Sequence, residues 1–254
     1  MERIIVSYEW FTGDYSSWEE ALKFCDGYNK PNILEKVKNS LLKVKKGEAV
    51  YERDSVLFDH IEYSMPLLVS LLYMTTVYKN NLNILDFGGS LGSSYFQNRK
   101  FLEKLDSLKW SIVEQNHFVD CGKEFFADEK LKFYHTIEEC LKMEKPEVIL
   151  FSGVLPYIAN PFAFIGGIME FNFKYIIIDR TPFFVEDIPD RITIEHVPPE
   201  IYDAKYPSAF FNYKKFLNFF RNKYNLKESF DSWERWDLNG TIAQNKCFIF
   251  EKIE

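Results

Sequence analysis

Three short apolar runs constrain the fold of this chain more than any other feature of its sequence. They are Leu82–Phe87, Glu147–Phe151 and Lys174–Asp179, and each stops at a polar or glycine-rich segment. Their apolarity is continuous rather than alternating, which is typical of parallel strands covered on both faces. Trp110–Glu114 and Leu131–Tyr134 predict two further strands of the same sheet.

Segments of helical periodicity lie between these strands, at 95–105, 119–126 and 137–143. Alternating strands and helices predict an α/β sheet with right-handed crossovers. Near the end of the chain, residues 226–252 predict two closing strands around a turn at Asn239–Gly240.

The two ends of this predicted sheet domain differ from its centre. Residues 1–80 contain helical patterns and no convincing strand, so we expect either a helical N-terminal cap on a domain spanning 81–254, or helices that extend that domain. Residues 181–212 are rich in proline and aromatic residues. A long irregular stretch is usually functional or disordered, and the aromatic content favours an ordered substrate loop at 181–212.

Composition restricts the class of protein. Of the 254 residues, 46% are apolar and 18% are aromatic, which is enough to build a sizeable core. The net charge of −7 disfavours sequence-independent nucleic-acid binding, which needs clustered positive charge. No segment is typical of a signal peptide, and the longest apolar stretches are too short to span a bilayer. We therefore expect a cytoplasmic enzyme with no nucleic-acid partner and no membrane span.

Motifs that would indicate other enzyme classes are missing. The four cysteines are scattered without a CxxC pair, so we interpret them as reduced thiols. No HxH, HExxH or two-carboxylate pattern supports a metal site. The sequence also lacks the GxxxxGK[ST] of P-loop kinases and the GxSxG of α/β-hydrolases.

The most informative motif is DFGGSLG, from Asp86 to Gly92, which follows a buried strand and opens a helix. Gly88, Gly89 and Gly92 permit positive φ and close approach of a ligand, and N–H groups at the helix start can hold polar groups. The spacing differs from the dinucleotide fingerprint GxGxxG, and Asp86 would repel a pyrophosphate. The motif therefore favours a cationic or zwitterionic ligand such as S-adenosylmethionine; an ordinary tight turn is the alternative.

A second carboxylate, Glu114, ends the next strand along the chain. A glutamate at a strand tip can accept both hydroxyls of a ribose, and Gln115 and Asn116 could reach the ribose or the adenine. A solvated strand-end glutamate is the alternative. The combination with the glycine-rich turn favours the ribose role.

A third motif, FSGVLPY, lies just past the carboxyl end of another predicted strand. Ligands of open α/β sheets bind at such strand ends. We expect Ser152, Gly153 and Tyr157 to border both a cofactor and an acceptor. A plain strand exit, with Leu155 and Tyr157 in the core, is the alternative.

Taken in order, LDFGGSLGSSYF, WSIVEQNHFVDCG, LFSGVLPYIANPF and IIIDRTPF carry a family resemblance, supported by YERDSVLF at 51–58 and by the aromatic pattern at 201–212. The chain resembles class I, S-adenosylmethionine-dependent methyltransferases that are associated with bacterial surface-polysaccharide loci. The resemblance covers most of the chain from about residue 50 to about 220. It implies a Rossmann-like α/β fold with seven strands, the last of them antiparallel.

The cofactor-binding residues expected from these motifs are Asp86, Gly88, Gly89, Gly92, Glu114, Gln115, Ser152, Gly153 and Arg53. The resemblance implies that Asp86, Gly88 and Gly92 hold the amino-acid part of the cofactor and that Glu114 holds the ribose. Arg53 could pair with the methionine carboxylate, or equally form an internal ion pair with Asp54.

The acceptor side is expected to involve His196, Arg180 and Tyr206. His196 is a candidate general base, because histidine accepts a proton near neutral pH. Arg180 could clamp a phosphate or carboxylate, and Tyr206, like Tyr202, could line a sugar or nucleotide pocket. The alternatives are a surface histidine, an arginine that closes the strand end with a salt bridge, and tyrosines that only pack.

The sequence thus predicts a methyltransferase that uses S-adenosylmethionine and yields S-adenosylhomocysteine. The expected acceptor is a small, nucleotide-linked or glycan-linked molecule. It would be a sugar, or a phosphorylated substituent such as a phosphoramidate, of a bacterial capsule or other surface polysaccharide, O-methylated by the enzyme. An NAD-dependent oxidoreductase or epimerase, and a non-catalytic cofactor-binding scaffold, are the alternatives.

Overall fold

The computed structural model describes residues 10–25 and 31–254. The strands are β1 Phe11–Tyr15, β2 Tyr51–Arg53, β3 Val56–Phe58, β4 Asn81–Phe87, β5 Ser107–Val113, β6 Leu131–Tyr134, β7 Val148–Ser152, β8 Tyr175–Phe184, β9 Arg191–Val197, β10 Ala204–Phe210, β11 Tyr224–Leu238 and β12 Thr241–Lys252. The helices are α1 Trp18–Leu22, α2 Pro31–Lys46, α3 Met65–Val77, α4 Ser93–Leu102, α5 Asn116–Phe125, α6 Ile137–Met143, α7 Pro161–Glu170, α8 Pro199–Tyr202 and α9 Tyr213–Phe220.

A seven-stranded sheet in the order β11-β12-β8-β7-β4-β5-β6 forms the centre of the fold. The pairs β8–β7, β7–β4, β4–β5 and β5–β6 are parallel, whereas β12 is antiparallel to both of its neighbours. The predicted Rossmann-like α/β fold, with seven strands and an antiparallel last strand, is confirmed.

Helices cover both faces of this sheet, which explains the continuous apolar runs. All five residues of β7 are buried. One core cluster joins the sheet to α2, α3, α4 and α5, and a second joins it to α6, α7 and α9. Because both faces of the central strands are packed, their side chains are mostly apolar at successive positions rather than only at alternate ones.

The N-terminal region is not purely helical as predicted, since β1, β2 and β3 lie within it. The β2–β3 hairpin closes with Asp54 and Ser55, both at positive φ (51° and 67°), as a two-residue turn between antiparallel strands requires. Residues 1–9 and 26–30 of the predicted cap lie outside the described residues. The boundary at residue 80 stays a prediction.

The predicted irregular loop at 181–212 is wrong: it holds the end of β8, all of β9 and β10, and the short α8. These strands form a second sheet in the order β1-β9-β10. Pro207 lies in β10, and proline is tolerated there because β10 is an edge strand that need not donate on its outer side. The prolines of this segment are therefore typical of a loop in the sequence, although β9 and β10 form part of a small sheet.

No helix in the described part of the chain, residues 10–25 and 31–254, is long and apolar enough to cross a membrane.

Candidate active site

The order of strands places a topological switch point between β4 and β7, because the chain proceeds from β4 to β5 on one side and from β7 to β8 on the other. Ligands of open α/β sheets bind at the carboxyl ends of the strands there. The loops that follow β4 and β7 touch: a Cβ atom added to Gly88 would lie 2.4 Å from Val154 Cγ2. The predicted glycine motif and the predicted FSGVLPY motif therefore form one site.

The loop after β4, which we call the glycine bend (residues 88–92), curls tightly. Gly88, Ser90 and Gly92 have φ values of +70°, +52° and +107°. Gly92 precedes α4, and no side chain caps the start of this helix. The bend thus brings the backbone and the N-terminus of α4 to the switch point, which is the arrangement that suits a polar ligand.

Asp86 lies beneath the glycine bend. Its carboxylate accepts a hydrogen bond from Trp110 Nε1 at 3.0 Å, and a Cβ atom added to Gly89 would lie 2.6 Å from Asp86 Oδ2. Burial raises the pKa of Asp86 to about 7, against the opposing effects of Trp110 and the Arg180 charge. The side chain is placed to organise the bend from below, and its direct contact with a ligand stays a prediction.

Glu114 joins the second motif to the first. It follows β5, is half-buried, and accepts a hydrogen bond from the backbone N–H of Gln115, while the backbone N–H of Ser90 in the glycine bend lies close enough to affect its pKa. Burial raises its pKa, and these two N–H groups oppose the rise. Gln115 is exposed and immediately precedes α5. A carboxylate at this tip of the sheet can accept hydrogen bonds from hydroxyl groups, and its binding of a ribose stays a prediction.

A narrow cleft opens beside the bend. Of the predicted site residues, Arg53, Ser152 and Arg180 line it, whereas the glycine bend and Glu114 are not among its lining residues. Its other walls come from the β2–β3 hairpin, the start of α3, the first turn of α4 and β11. The remaining lining residues are Tyr51, Glu62, Tyr63, Ser64, Leu67, Ser93, Ser94, Gln97, Asp179, Ser232, Trp233 and Glu234.

Asp179, in the middle of β8, forms the floor of this cleft. It is fully buried, and it accepts hydrogen bonds from Ser152 Oγ at 3.1 Å and from Ser64 Oγ at 3.1 Å. Burial raises its pKa, and the neighbouring Arg180 charge opposes the rise. The hydrogen bond to Asp179 thus fixes the orientation of the Ser152 hydroxyl.

Both predicted arginines lie in the cleft among carboxylates. Although burial disfavours its charge, Arg180 has a pKa raised above the ordinary value by Asp54, Glu234 and Asp179. Its guanidinium packs on the next strand end, 3.2 Å from where a Cβ atom on Gly153 would lie. Arg53 pairs with Glu62 at 3.9 Å and Glu234 at 3.7 Å rather than with Asp54.

The acceptor residue His196 lies on β9, where its Nε2 is 2.7 Å from Thr12 Oγ1 on β1. Its neighbour Glu195 points to the opposite side, since side chains alternate along a strand. Glu195 is buried and accepts a hydrogen bond from Tyr157 Oη at 2.7 Å. Tyr206 is paired with Glu195 across β9 and β10 and packs edge-on against Tyr157, with ring centroids 5.2 Å apart.

Glu195 is thus a buried acid bonded to the predicted FSGVLPY motif, and the sequence analysis did not single it out. Burial raises its pKa to about 7, the Tyr157 hydrogen bond opposes this rise, and Asp54 adds to it. Asp54 also acts on Arg180, so the Tyr157–Glu195 pair and the cleft share one electrostatic neighbour. In the sequence, only its position next to His196 pointed to Glu195. The register of strand β9 was needed to choose between these two residues.

The sequence analysis also missed Trp233, which lines the cleft, and Glu52, which contacts the lining residue Ser93. On β11 the pairing with β12 shifts by two residues between Asp231 and Arg235, and this bulge presents Trp233, which is 60% exposed. On the hairpin, Glu52 is buried and accepts a hydrogen bond from Ser93 Oγ at the start of α4, at 2.8 Å. Neither feature has a local sequence signal, because both depend on contacts between distant segments.

Two other predictions concern a metal site and the side chain of Tyr202. Within residues 10–25 and 31–254, no group of three or more His, Cys, Asp or Glu side chains is arranged to hold a metal ion. The side chain of Tyr202 lies outside the described residues. The roles of His196, Arg180 and Tyr206 in catalysis stay predictions.

No family model matches the chain, and no curated protein matches it. Solved structures resemble it only distantly. The N-terminal domain of EvdMO1, in the presence of S-adenosylhomocysteine and D-fucose, aligns with a TM-score of 0.48 and 10% identity over 86% of this chain and 97% of that chain. The N-methyltransferase NodS from Bradyrhizobium japonicum WM9, in complex with S-adenosylhomocysteine, gives a TM-score of 0.45 and 10% identity over 84% and 99%.

A third solved structure is the glycopeptide N-methyltransferase MtfA complexed with S-adenosylmethionine. It gives a TM-score of 0.45 and 8% identity over 73% of this chain and 94% of that chain. Similarity at this level assigns no function to the chain. Its function has to be argued from the residues of its own candidate site.

Proposed function

We propose that the chain is an S-adenosylmethionine-dependent methyltransferase. One observation carries the proposal: beside the switch point of the sheet, the Glu114 carboxylate lies next to the glycine bend, close enough for the Ser90 N–H to lower its pKa. This places a carboxylate that can bind ribose hydroxyls next to a tight turn that presents polar backbone groups. The antiparallel β12 also separates this sheet from the six-stranded parallel sheet of the dinucleotide fold.

The residues of the site fit this cofactor on chemical grounds. Glu114 would accept the ribose hydroxyls, and the cleft would hold the amino-acid end, because Arg53 can meet a carboxylate while Glu62 and Glu234 can meet an ammonium group. Asp86 and Asp179 beneath them favour a cation over a pyrophosphate. When bound, S-adenosylmethionine supplies a methyl group on a sulfonium centre.

Tyr157 and Glu195 are proposed to manage the proton of the acceptor. As the acceptor hydroxyl loses its proton to Tyr157 Oη, Tyr157 passes its own proton to Glu195, with which it already shares a 2.7 Å hydrogen bond. A carboxyl with a pKa of about 7 is matched to this task at neutral pH. His196 is the less suitable base, because its ring contacts Thr12 on the other side of β9.

The proposed acceptor is a sugar or a phosphorylated substituent of a surface polysaccharide, as the resemblance implies. Trp233 offers an exposed aromatic face for a sugar ring at the rim of the cleft. The serine hydroxyls of the wall (Ser64, Ser93, Ser94) can exchange hydrogen bonds with sugar hydroxyls. We propose O-methylation, since a hydroxyl nucleophile needs the base that Glu195 provides.

Transfer of label from S-[methyl-³H]adenosylmethionine to a panel of nucleotide sugars and sugar phosphates tests this function. We expect at least one member to be methylated. Glu195→Gln should lower kcat by about 100-fold or more, as for loss of a general base, and leave the affinity for S-adenosylhomocysteine within about twofold. His196→Gln is the matched control and should keep most of the activity.

The opposite pattern, with His196→Gln inactive and Glu195→Gln active, would show that His196 rather than Glu195 is the general base. A protein that binds S-adenosylhomocysteine but methylates no member of the panel would support the non-catalytic scaffold instead.

A further inference from the structure

Arg180 is a cation in the wall of the cleft that bonds to no other residue of the described structure. Among residues 10–25 and 31–254, its guanidinium takes part in no salt bridge and donates no hydrogen bond. Asp54, Glu234 and Asp179 act on its charge only through space. The salt bridge that would close this strand end is thus not formed, and the N–H donors of the guanidinium are open to a molecule in the cleft.

A bulge in β8 aims this side chain. Two residues of β8, Asp179 and Arg180, lie opposite the single Cys247 of β12. Arg180 has a φ of +49°, in the left-handed region that residues other than glycine rarely adopt. Bulges beside active sites re-aim side chains, and strained backbone persists where the surrounding structure enforces it. The fold therefore tolerates strain at the residue that holds this guanidinium in the cleft.

The bulge places the guanidinium beside the end of β7. A Cβ atom added to Gly153 would lie 3.2 Å from Nη2 and 3.4 Å from Nε of Arg180. The Gly153 N–H donates a hydrogen bond to the Asp179 carbonyl at 3.0 Å, which joins the two strands at this point. Ser152, the last residue of β7, lines the same cleft. Arg180 thus lies at the carboxyl ends of parallel strands, where ligands of open α/β sheets bind.

The charges around Arg180 favour one kind of anion. Asp54, Glu234 and Asp179 would repel a doubly charged group, which a phosphate monoester nearly is at neutral pH. A carboxylate carries a single charge, and its planar pair of oxygens matches the donor geometry of a guanidinium. A carboxylate is therefore the anion that suits this arginine best.

The surroundings of Arg180 connect it to the acceptor side of the site. Its guanidinium packs against Gly153, in the same loop as Tyr157, whose hydroxyl is bonded to the proposed base Glu195. Trp233 lines the same cleft and is exposed, so its ring can pack on a sugar. These groups suit one acceptor molecule that carries a ring, a reacting hydroxyl and an acid.

We propose that Arg180 determines the specificity of the site by binding the carboxylate of an acidic sugar, such as a uronic acid, as the methyl acceptor. This assignment rests on the proposed methyltransferase function. It narrows the acceptor from sugars in general to those that carry one carboxylate, and it leaves the proton of the hydroxyl to Tyr157 and Glu195.

Isothermal titration calorimetry of the full chain, saturated with S-adenosylhomocysteine, tests the proposal with matched sugars. D-Glucuronate and D-galacturonate are compared with D-glucose and D-galactose, which lack the carboxylate, and with the corresponding 6-phosphates. We expect at least one acid to bind about 10-fold or more tightly than its neutral partner. Arg180→Gln should abolish this preference, and Arg180→Lys should keep part of it, because the charge remains without the planar fork. Arg221→Gln, at an exposed arginine after α9, is the matched control and should keep all of it.

Both Arg180 variants should bind S-adenosylhomocysteine within about twofold of the wild-type affinity, which also shows that they fold. A wild type that binds S-adenosylhomocysteine but prefers no acid at up to about 10 mM, or prefers the 6-phosphates, overturns this inference alone. An Arg180→Gln variant that keeps the acid preference and loses affinity for S-adenosylhomocysteine also overturns it, since Arg180 would then bind the cofactor. A wild type that does not bind S-adenosylhomocysteine overturns the proposed function and this inference together.

Discussion

Three buried carboxyl groups surround the candidate site, each with one neutral side-chain donor. Glu52 is bound by Ser93, Asp86 by Trp110 and Glu195 by Tyr157. Burial raises the pKa of each of them to about 7. Because these pKa values lie near neutrality, we expect the stability of the fold to depend on pH.

The pH dependence of stability follows from these shifts. A carboxyl whose pKa is about 4.3 when unfolded and about 7 when folded stabilises the fold below pH 4.3, and that stabilisation is lost as pH rises toward 7. We expect the free energy of unfolding to fall between pH 5 and pH 8. In Glu195→Gln this fall should be smaller by about 1–3 kcal/mol, measured by urea denaturation at several pH values.

The control for this prediction is Glu129→Gln, which alters an exposed glutamate between α5 and β6 and should leave the wild-type pH dependence unchanged. If the curves of Glu195→Gln and the wild type run parallel, the carboxyl group of Glu195 does not titrate near neutrality and loses its claim to be the base.

The sequence predicted those site residues that a strand end identifies locally. Asp86, Glu114 and Ser152 each lie at the end of an apolar run, so chain position alone placed them at one edge of the sheet. Glu195 and Glu52 could not be found in this way, because their burial depends on contacts with Tyr157 and Ser93 from distant segments. For the same reason, the register of β9 had to be seen before Glu195 could be preferred to His196.

At the scale of elements, the glycine bend and α7 show two different uses of glycine. Gly92, at φ +107° before α4, adopts a conformation that other residues rarely reach. Gly167 lies within α7, and a Cβ atom added there would meet nothing within 4 Å. The first position requires glycine and the second only tolerates it.

Alanine at these two positions should therefore shift stability in opposite directions. Gly92→Ala should lower the free energy of unfolding by about 1–3 kcal/mol through backbone strain. Gly167→Ala should raise it by about 0.5–1 kcal/mol through improved helix propensity. Urea denaturation of both variants measures this, and a stable Gly92→Ala protein would show that the bend relaxes without cost.

Most elements of the sheet domain were predictable because a single physical signal dominated each one. Helix α6 begins and ends at the predicted residues, and β4 differs by one residue at its start. Helix α7 was not predicted, since Pro161 and two adjacent glycines weaken its helical signal, although Asn160 caps it and proline is favourable at its first position. The segment 181–212 was misread because its prolines are typical of loops, although Pro182 lies in β8 and Pro207 in the edge strand β10.

At the scale of the whole molecule, the topology decides where the chemistry can occur. In the order β6-β5-β4-β7-β8-β12-β11, the direction in which successive parallel strands are added reverses once, between β4 and β7. The predicted cofactor motifs lie at this edge of the sheet. The cleft beside it draws its walls from segments as far apart as the β2–β3 hairpin and the bulge of β11. The sheet follows from local sequence patterns, whereas the cleft follows only from long-range packing.

Isothermal titration calorimetry with S-adenosylhomocysteine, alongside NADH, tests the central claim most directly. The wild type should bind one S-adenosylhomocysteine per chain with a Kd of about 10 µM or below, and should not bind NADH. Glu114→Gln should weaken binding by about 1.5–3 kcal/mol, while Glu129→Gln should not change it. Heat from NADH alone, or an affinity for S-adenosylhomocysteine that does not depend on Glu114, would contradict the account.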